Sequence, residues 1–155
     1  MSEDVVEIVE VTEASSTPVN AIQDLLSQLS SSPVNFETAD LDEILSSENT
    51  HLLIARDVSL RNRIVVMLCL VVYRTASAFV ARVEDVVVLS DNRGRGIGRR
   101  LMDFAVEYAR GLGVNRIDLT SHPGREAANH LYASMGFEKR NTNVYRLETG
   151  SSKEP

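Results

Sequence analysis

Arg93-Gly94-Arg95-Gly96-Ile97-Gly98, followed at once by Arg99 and Arg100, is the segment whose residue types and spacing could do chemistry. Glycines admit backbone conformations closed to other residues and let a ligand approach the amides closely. If a helix opens there, its first N–H groups lack an internal partner and face outward, with the positive end of the helix dipole behind them. Together these features make a cradle for a phosphate-bearing anion. Cations in a first helical turn oppose the dipole by roughly 0.3–1 kcal/mol each, and a bound anion would remove that penalty. The plainer alternative is a glycine turn with solvated arginines. No Lys-Ser/Thr follows the glycines, so the loop is not a Walker motif. A dinucleotide fingerprint fits poorly: it belongs to a first strand–helix unit and wants an acidic residue about 20 residues on. This loop lies past the middle of the chain, and Asp118, near that distance, falls inside its own strand.

Other reactive side chains are sparse. His51, His122 and His130 have no ligand spacing, and there is no Cys-x-x-Cys, so no metal site is expected. Cys69 is the single cysteine and lies in an apolar run, which predicts a buried thiol in a reducing compartment.

The elements that must hold the glycine loop follow from periodicity. Val5–Thr12 reads as an edge strand. Thr17-Pro18 opens a helix, with Thr17 as N-cap and an inward stripe of Ile22, Leu25, Leu26 and Leu29. Residues 39–45 form a short second helix with Leu41, Ile44 and Leu45 inward. Strands follow at 51–57, 64–74 and 79–89, the middle one apolar enough to be covered on both faces. The helix after the glycine loop is marked by Ile97, Leu101, Phe104, Ala105, Tyr108 and Leu112, and is closed by Gly111 and Gly113. Residues 116–121 form a strand. Pro123 opens a last helix that Gly136 closes, and Asn143–Leu147 is the final strand. Alternating helices and strands in the second half predict an α/β layered fold around a mixed sheet.

Size and charge bound the rest. A chain of 155 residues supports one core. The expected organisation is a single domain over residues 1–149 and a flexible tail over 150–155. Apolar residues make up 43% and charged ones 25%, which excludes a disordered or collagen-like chain. The longest apolar run, Ile64–Tyr73, falls short of the about 20 residues a membrane helix needs, so no membrane partner is expected. The acidic start Met1-Ser-Glu-Asp has no basic region of an export signal, so the expected location is cytoplasmic. A net charge of −6 argues against nucleic acid. The first fifty residues carry no Lys or Arg, while Arg93, Arg95, Arg99 and Arg100 crowd together. A local cationic cluster on an acidic chain favours a small anionic ligand.

Arg93-x-x-Gly96-x-Gly98 resembles the motif of the GNAT superfamily of N-acetyltransferases, in which Arg or Gln precedes G-x-G. Val83-Glu-Asp-Val-Val-Val is similar to the strand before that loop. Leu131-Tyr132-x-x-x-Gly136-Phe137 is similar to the family's late helix and its closing Gly-Phe. The element order matches from Pro18 to Leu147.

The resemblance implies a mixed, mostly antiparallel sheet of about six to seven strands, helices on both faces, and a splay between the fourth and fifth strands. It implies acetyl-CoA as co-substrate, no metal, and direct transfer of the acetyl group to a primary amine. The diphosphate would rest on the loop, here Arg93, Gly94, Arg95, Gly96, Ile97, Gly98 and Arg99, and the pantetheine arm along Val86, Val87 and Val88. Direct attack needs a base, an oxyanion donor and an acid. Glu84 is the candidate base, its pKa raised by an apolar setting; alternatively it is a structural carboxylate paired with an arginine. The Val88 N–H is the candidate oxyanion donor. Tyr132 is the candidate acid, the alternative being a core tyrosine. Where the family commonly has Asn seven residues before this Tyr, the chain has Arg125, which could reach the phosphates or stay solvated. His122 could orient the acceptor, and Phe36, Tyr73 and Tyr145 are pocket walls or core. The acceptor, a small-molecule or protein amine, would meet the first two helices and the acidic 30–37 loop, which mildly favours a cation. The resemblance also allows a homodimer. The rivals are a non-catalytic acyl-CoA-binding regulatory module and a nucleotide-dependent enzyme.

Overall fold

β-branched and aliphatic residues dominate 50–57, 63–74 and 79–88, and these segments form the middle of the sheet in the computed structural model, which describes residues 5–14 and 18–150. Backbone contacts divide the chain into two compact units, Met1–Thr120 and Ser121–Pro155.

The first unit runs β1 (Val6–Glu10), α1 (Val19–Leu26), α2 (Thr38–Ser46), β2 (Thr50–Asp57), β3 (Arg63–Arg74), β4 (Phe79–Val88), α3 (Ile97–Gly111) and β5 (Arg116–Leu119). The strands lie in the order β1-β2-β3-β4-β5. The first four pair antiparallel, and β4 with β5 parallel. A parallel pair needs a crossover, which α3 supplies. Ile64–Leu70 of β3 are buried without interruption, and α1 and α3 both pack on this strand. Successive strand residues alternate faces, so both faces of β3 are covered, as its sequence predicts.

The mixed α/β sheet is as expected, with five strands among the described residues rather than six to seven. The expected strand at 143–147 does not form. Val144, Tyr145 and Leu147 there are 73–86% exposed, and no strand is assigned. Alternation makes a segment suited to extended backbone, but a ladder also needs a hydrogen-bonded neighbour.

Helix bounds differ in detail. α1 has Pro18 at the N-cap, and Thr17 lies outside the described residues, as do residues 151–155 of the expected tail. Ile22 and Leu25 are buried, whereas Leu29 lies past the helix end and is exposed. α3 turns Ile97, Leu101, Met102, Ala105 and Ala109 inward, while Phe104 and the C-cap Leu112 are 36% and 40% exposed. The stripe follows the i, i+4 row from Ile97, which the aromatic residues had masked. The second unit holds α4 (Glu126–Ser134), which begins after Arg125 rather than at Pro123. Residues 122–125 form a turn instead: Arg125 N–H donates to His122 O at 3.0 Å, and Gly124 N–H to His122 Nδ1 at 2.9 Å. Gly136 closes α4 at φ +94°, as expected. Among the described residues no helix is long and apolar enough to cross a membrane.

Candidate functional site

The site in the first unit grows out of a defect in β4. Cys69 of β3 faces Glu84, and Met67 faces Val87, so three steps along β4 match two along β3. The extra residue makes a β-bulge, and Asp85 carries it at φ +54°, a conformation uncommon outside glycine. β5 pairs only with Val80–Val83. The sheet therefore parts between β4 and β5 after Val83, and Glu84, Val87 and Val88 pair with β3 alone.

The chain then passes a short 3₁₀ turn, Ser90–Asn92, and enters the glycine loop. Gly94 (φ +78°) and Gly96 (φ +74°) both take the left-handed conformation, and Gly96 is the N-cap of α3. The cap makes no side-chain hydrogen bond, and the first turn has no acidic residue. The first backbone bond into the helix is Arg100 N–H to Gly96 O at 3.1 Å. The amides before it have no intrahelical acceptor, so the loop presents the positive end of a fifteen-residue helix. Gly98 has a different reason. A Cβ there would lie 3.1 Å from Val88 Cγ2, so its absence lets α3 start hard against β4.

The loop arginines divide their tasks. Arg93 is exposed beside the turn. Arg95 Nη1 donates to Asp57 Oδ2 at 3.1 Å. Arg99 pairs with Asp103 at 3.4 Å along the helix, and Arg100 Nη2 donates to Val6 O at 3.3 Å. Asp57 is itself buried, and its carboxyl lies below the usual range because Ser59 and then Arg95 hydrogen-bond to its charged form. The sequence contained no signal for this pairing, because its partners are 38 residues apart.

Glu84 does not have the apolar setting expected of it. Its carboxylate pairs with the Arg82 guanidinium and is 41% exposed. Arg82 also donates to Thr120 Oγ1 at 3.3 Å. Strand alternation puts Arg82 and Glu84 on one face, so the pair forms across one intervening residue. Asp85 is the carboxylate whose pKa is raised, first by lost hydration and then by the charge of Glu84. Cys69, across the ladder from Glu84, is a buried thiol pushed up to about 12 by burial, then by Asp85 and Glu84. Burial and the two carboxylates both disfavour the reactive thiolate.

In the second unit Tyr132 is buried, edge-on to Phe137 with ring centroids 6.0 Å apart. Burial raises its phenol, and Arg125 opposes that shift. Arg125 stands at the N-cap of α4 with no capping hydrogen bond. Asn129, one turn on, donates to His122 O at 3.0 Å and to Pro123 O at 3.3 Å, holding the turn before the helix.

The possible acceptor wall at 30–37 is organised by Gln23. Its side chain accepts from Phe36 N–H at 2.6 Å and donates to Val34 O. Glu37 and Asp40 are engaged in the capping box that starts α2, which leaves less free negative charge than the composition suggests. Tyr73 and Tyr145 are both exposed, so neither is core.

A family model described as Acetyltransferase (GNAT) family matches residues 19–137. Glucosamine 6-phosphate N-acetyltransferase 1 of Oryza sativa subsp. japonica is 32% identical over 126 residues, covering 77% of this chain and 74% of the rice protein. Among solved structures, glucosamine-6-phosphate N-acetyltransferase from Arabidopsis thaliana superposes with a TM-score of 0.77 at 16% identity, over 92% of this chain and 98% of that one. AAC(6')-Iy in complex with the bisubstrate analog CoA-S-monomethyl-acetylneamine superposes with a TM-score of 0.73 at 19% identity, over 93% and 99%.

Proposed function

The chain belongs to the acetyltransferase (GNAT) family, and from that premise we propose how its own residues move an acetyl group from acetyl-CoA to an amine. The observation that carries the reading is the continuity of two open features in the first unit. The bulged, one-sided stretch of β4 runs directly into a glycine-capped helix start. A strand with a free edge suits an extended, amide-bearing arm, and a helix start suits a diphosphate. The residues present fit coenzyme A in both respects.

Val86, Val87 and Val88 align the pantetheine arm. The amides from Gly94 to Arg99 hold the diphosphate, with the Arg93 side chain beside them, and Arg125 is a further candidate for the coenzyme's phosphates. When bound, the coenzyme supplies an acetyl thioester. Glu84 takes the proton from the incoming ammonium through water, with Arg82 fixing its orientation. The Val88 N–H donates to the oxygen that gains charge as the amine attacks. Tyr132 returns a proton to the departing thiolate. Cys69 takes no part.

The acceptor is a small-molecule or protein amine. The rice relative's name, glucosamine 6-phosphate N-acetyltransferase, makes an aminated sugar phosphate the first compound to try. The protein acts in the cytoplasm, as a homodimer or alone, without nucleic acid or membrane as a partner. The test is release of free CoA thiol from acetyl-CoA with a panel of amino sugar phosphates, amino sugars, aminoglycosides, polyamines and lysine peptides. Turnover with one of them supports the reading. Tight acetyl-CoA binding with no turnover on any would make the chain a non-catalytic acyl-CoA-binding module.

A further inference from the structure

Asp57 sits at the end of β2, next to a register shift at Ala55/Arg56 that interrupts the ladder with β3. Its side chain is 3% exposed, although it carries a charge. A buried carboxylate is tolerated only when its lone pairs are filled. Here Ser59 N–H donates to Oδ1 at 3.0 Å, Ser59 Oγ–H to the same oxygen at 2.5 Å, and Arg95 Nη1 to Oδ2 at 3.1 Å. The two Ser59 bonds close a local turn over Val58–Leu60, followed by Arg61 and Asn62 in the left-handed conformation. The Arg95 bond instead leaves the turn and reaches the glycine loop, between the two left-handed residues Gly94 and Gly96.

That placement has a physical consequence. Gly94 and Gly96 have the widest backbone freedom in the loop, so fixing their conformation costs the most entropy. A side chain anchored between them removes much of that freedom before any ligand arrives, and preorganisation of this kind appears as affinity. The same bond commits one N–H of the Arg95 guanidinium to a buried acid.

We propose that Asp57 is a positioning residue for the coenzyme: through Arg95 it holds the glycine loop with its amides set for a diphosphate, and Arg95 acts as the tether rather than as a phosphate ligand. This rests on the reading of the loop as the diphosphate site. Asp57 touches no reacting atom, and its effect is confined to the diphosphate.

Calorimetric titration of the full chain with acetyl-CoA tests this on Asp57→Asn, Arg95→Met and the double variant. Turnover of S-acetyl-pantetheine, which lacks the diphosphate, is measured alongside for wild type and Asp57→Asn. Each single change is expected to weaken acetyl-CoA about tenfold, the loss expected for a hydrogen bond to a charged group. The double variant should be no weaker than the poorer single one, because both cut the same tether. Turnover of S-acetyl-pantetheine should match in wild type and Asp57→Asn. Tighter acetyl-CoA binding by Asp57→Asn would overturn the proposal, since it would mean that freed Arg95 serves the phosphates directly. So would unchanged binding, additive losses, or an equal loss with both donors. If Asp57→Asn does not fold, Ser59→Ala decides. It loosens Asp57 without touching Arg95, so a tether predicts weaker acetyl-CoA binding, whereas a direct phosphate contact by Arg95 predicts unchanged or tighter binding. Wild type that fails to bind acetyl-CoA at all would instead remove the diphosphate site itself.

Discussion

Tyr132 meets the first demand on a proton donor at neutral pH: burial keeps its phenol above the ordinary value of 10.0, so it stays protonated throughout the working range. Removing its hydroxyl should lower kcat while leaving the coenzyme's contacts alone. Tyr132→Phe is expected to cut kcat tenfold or more, within the roughly 10²–10⁴-fold span of general acid catalysis or just below it. The dissociation constant for acetyl-CoA should change less than twofold. Steady-state kinetics with calorimetry on the same sample checks both numbers, and a kcat equal to wild type would place the tyrosine in the core alone. Glu84 sits in a different setting. Its pairing with Arg82 gives it a fixed orientation, but also the arrangement of a structural ion pair.

At the scale of elements, the start of α3 sets the geometry, and its glycines do separable things. Gly96 is left-handed with nothing crowding the position of an added Cβ, so Gly96→Ala costs conformational strain alone. The expected loss is roughly 1–2 kcal/mol of unfolding free energy, measured by urea titration. Gly98 is not left-handed but is crowded by Val88 at 3.1 Å. Gly98→Ala should therefore lift α3 from β4 and raise the KM for acetyl-CoA, and Val88→Ala should partly restore stability in the double variant. Additive losses would separate the helix start from the strand.

Much of this was legible locally. The 3.6-residue pattern locates α3, and glycine spacing locates its cap. The left-handed Asp85 was not legible, because an aspartate in a valine-rich run looks like ordinary strand alternation. The expected strand at 143–147 shows the converse: pattern alone cannot supply the neighbour that a ladder requires. The splay between β4 and β5, with a bulge as its cause, was expected from resemblance, and the place of the bulge, one extra residue opposite Leu68, shows only in the register.

At the scale of the whole molecule, the first fifty residues carry acidic charge and no Lys or Arg, while four of the sixteen cations crowd into residues 93–100. Asp57 lies beyond that acidic stretch and pairs with Arg95 38 residues on, a link no local pattern shows. Its pH dependence has a definite sign. The folded-state pKa of Asp57 lies below the ordinary 3.8, so its stabilisation is fully present above the unfolded value and is lost as pH falls through the folded one. The urea midpoint of wild type should thus fall more steeply than that of Asp57→Asn below about pH 4, where unfolded aspartate takes up its proton. The two curves should run parallel between pH 5 and 7. Equal slopes in acid would show that the pair adds nothing to the fold.

The account depends most on the backbone amides of the glycine loop receiving the coenzyme's diphosphate. Amide proton–nitrogen NMR spectra of the labelled protein, titrated with acetyl-CoA, examine those groups one by one. The largest shifts are expected at Gly94, Gly96, Ile97 and Gly98, saturating together at one equivalent, with smaller ones at Val86–Val88. Loop amides that stay in place while acetyl-CoA binds elsewhere would contradict it.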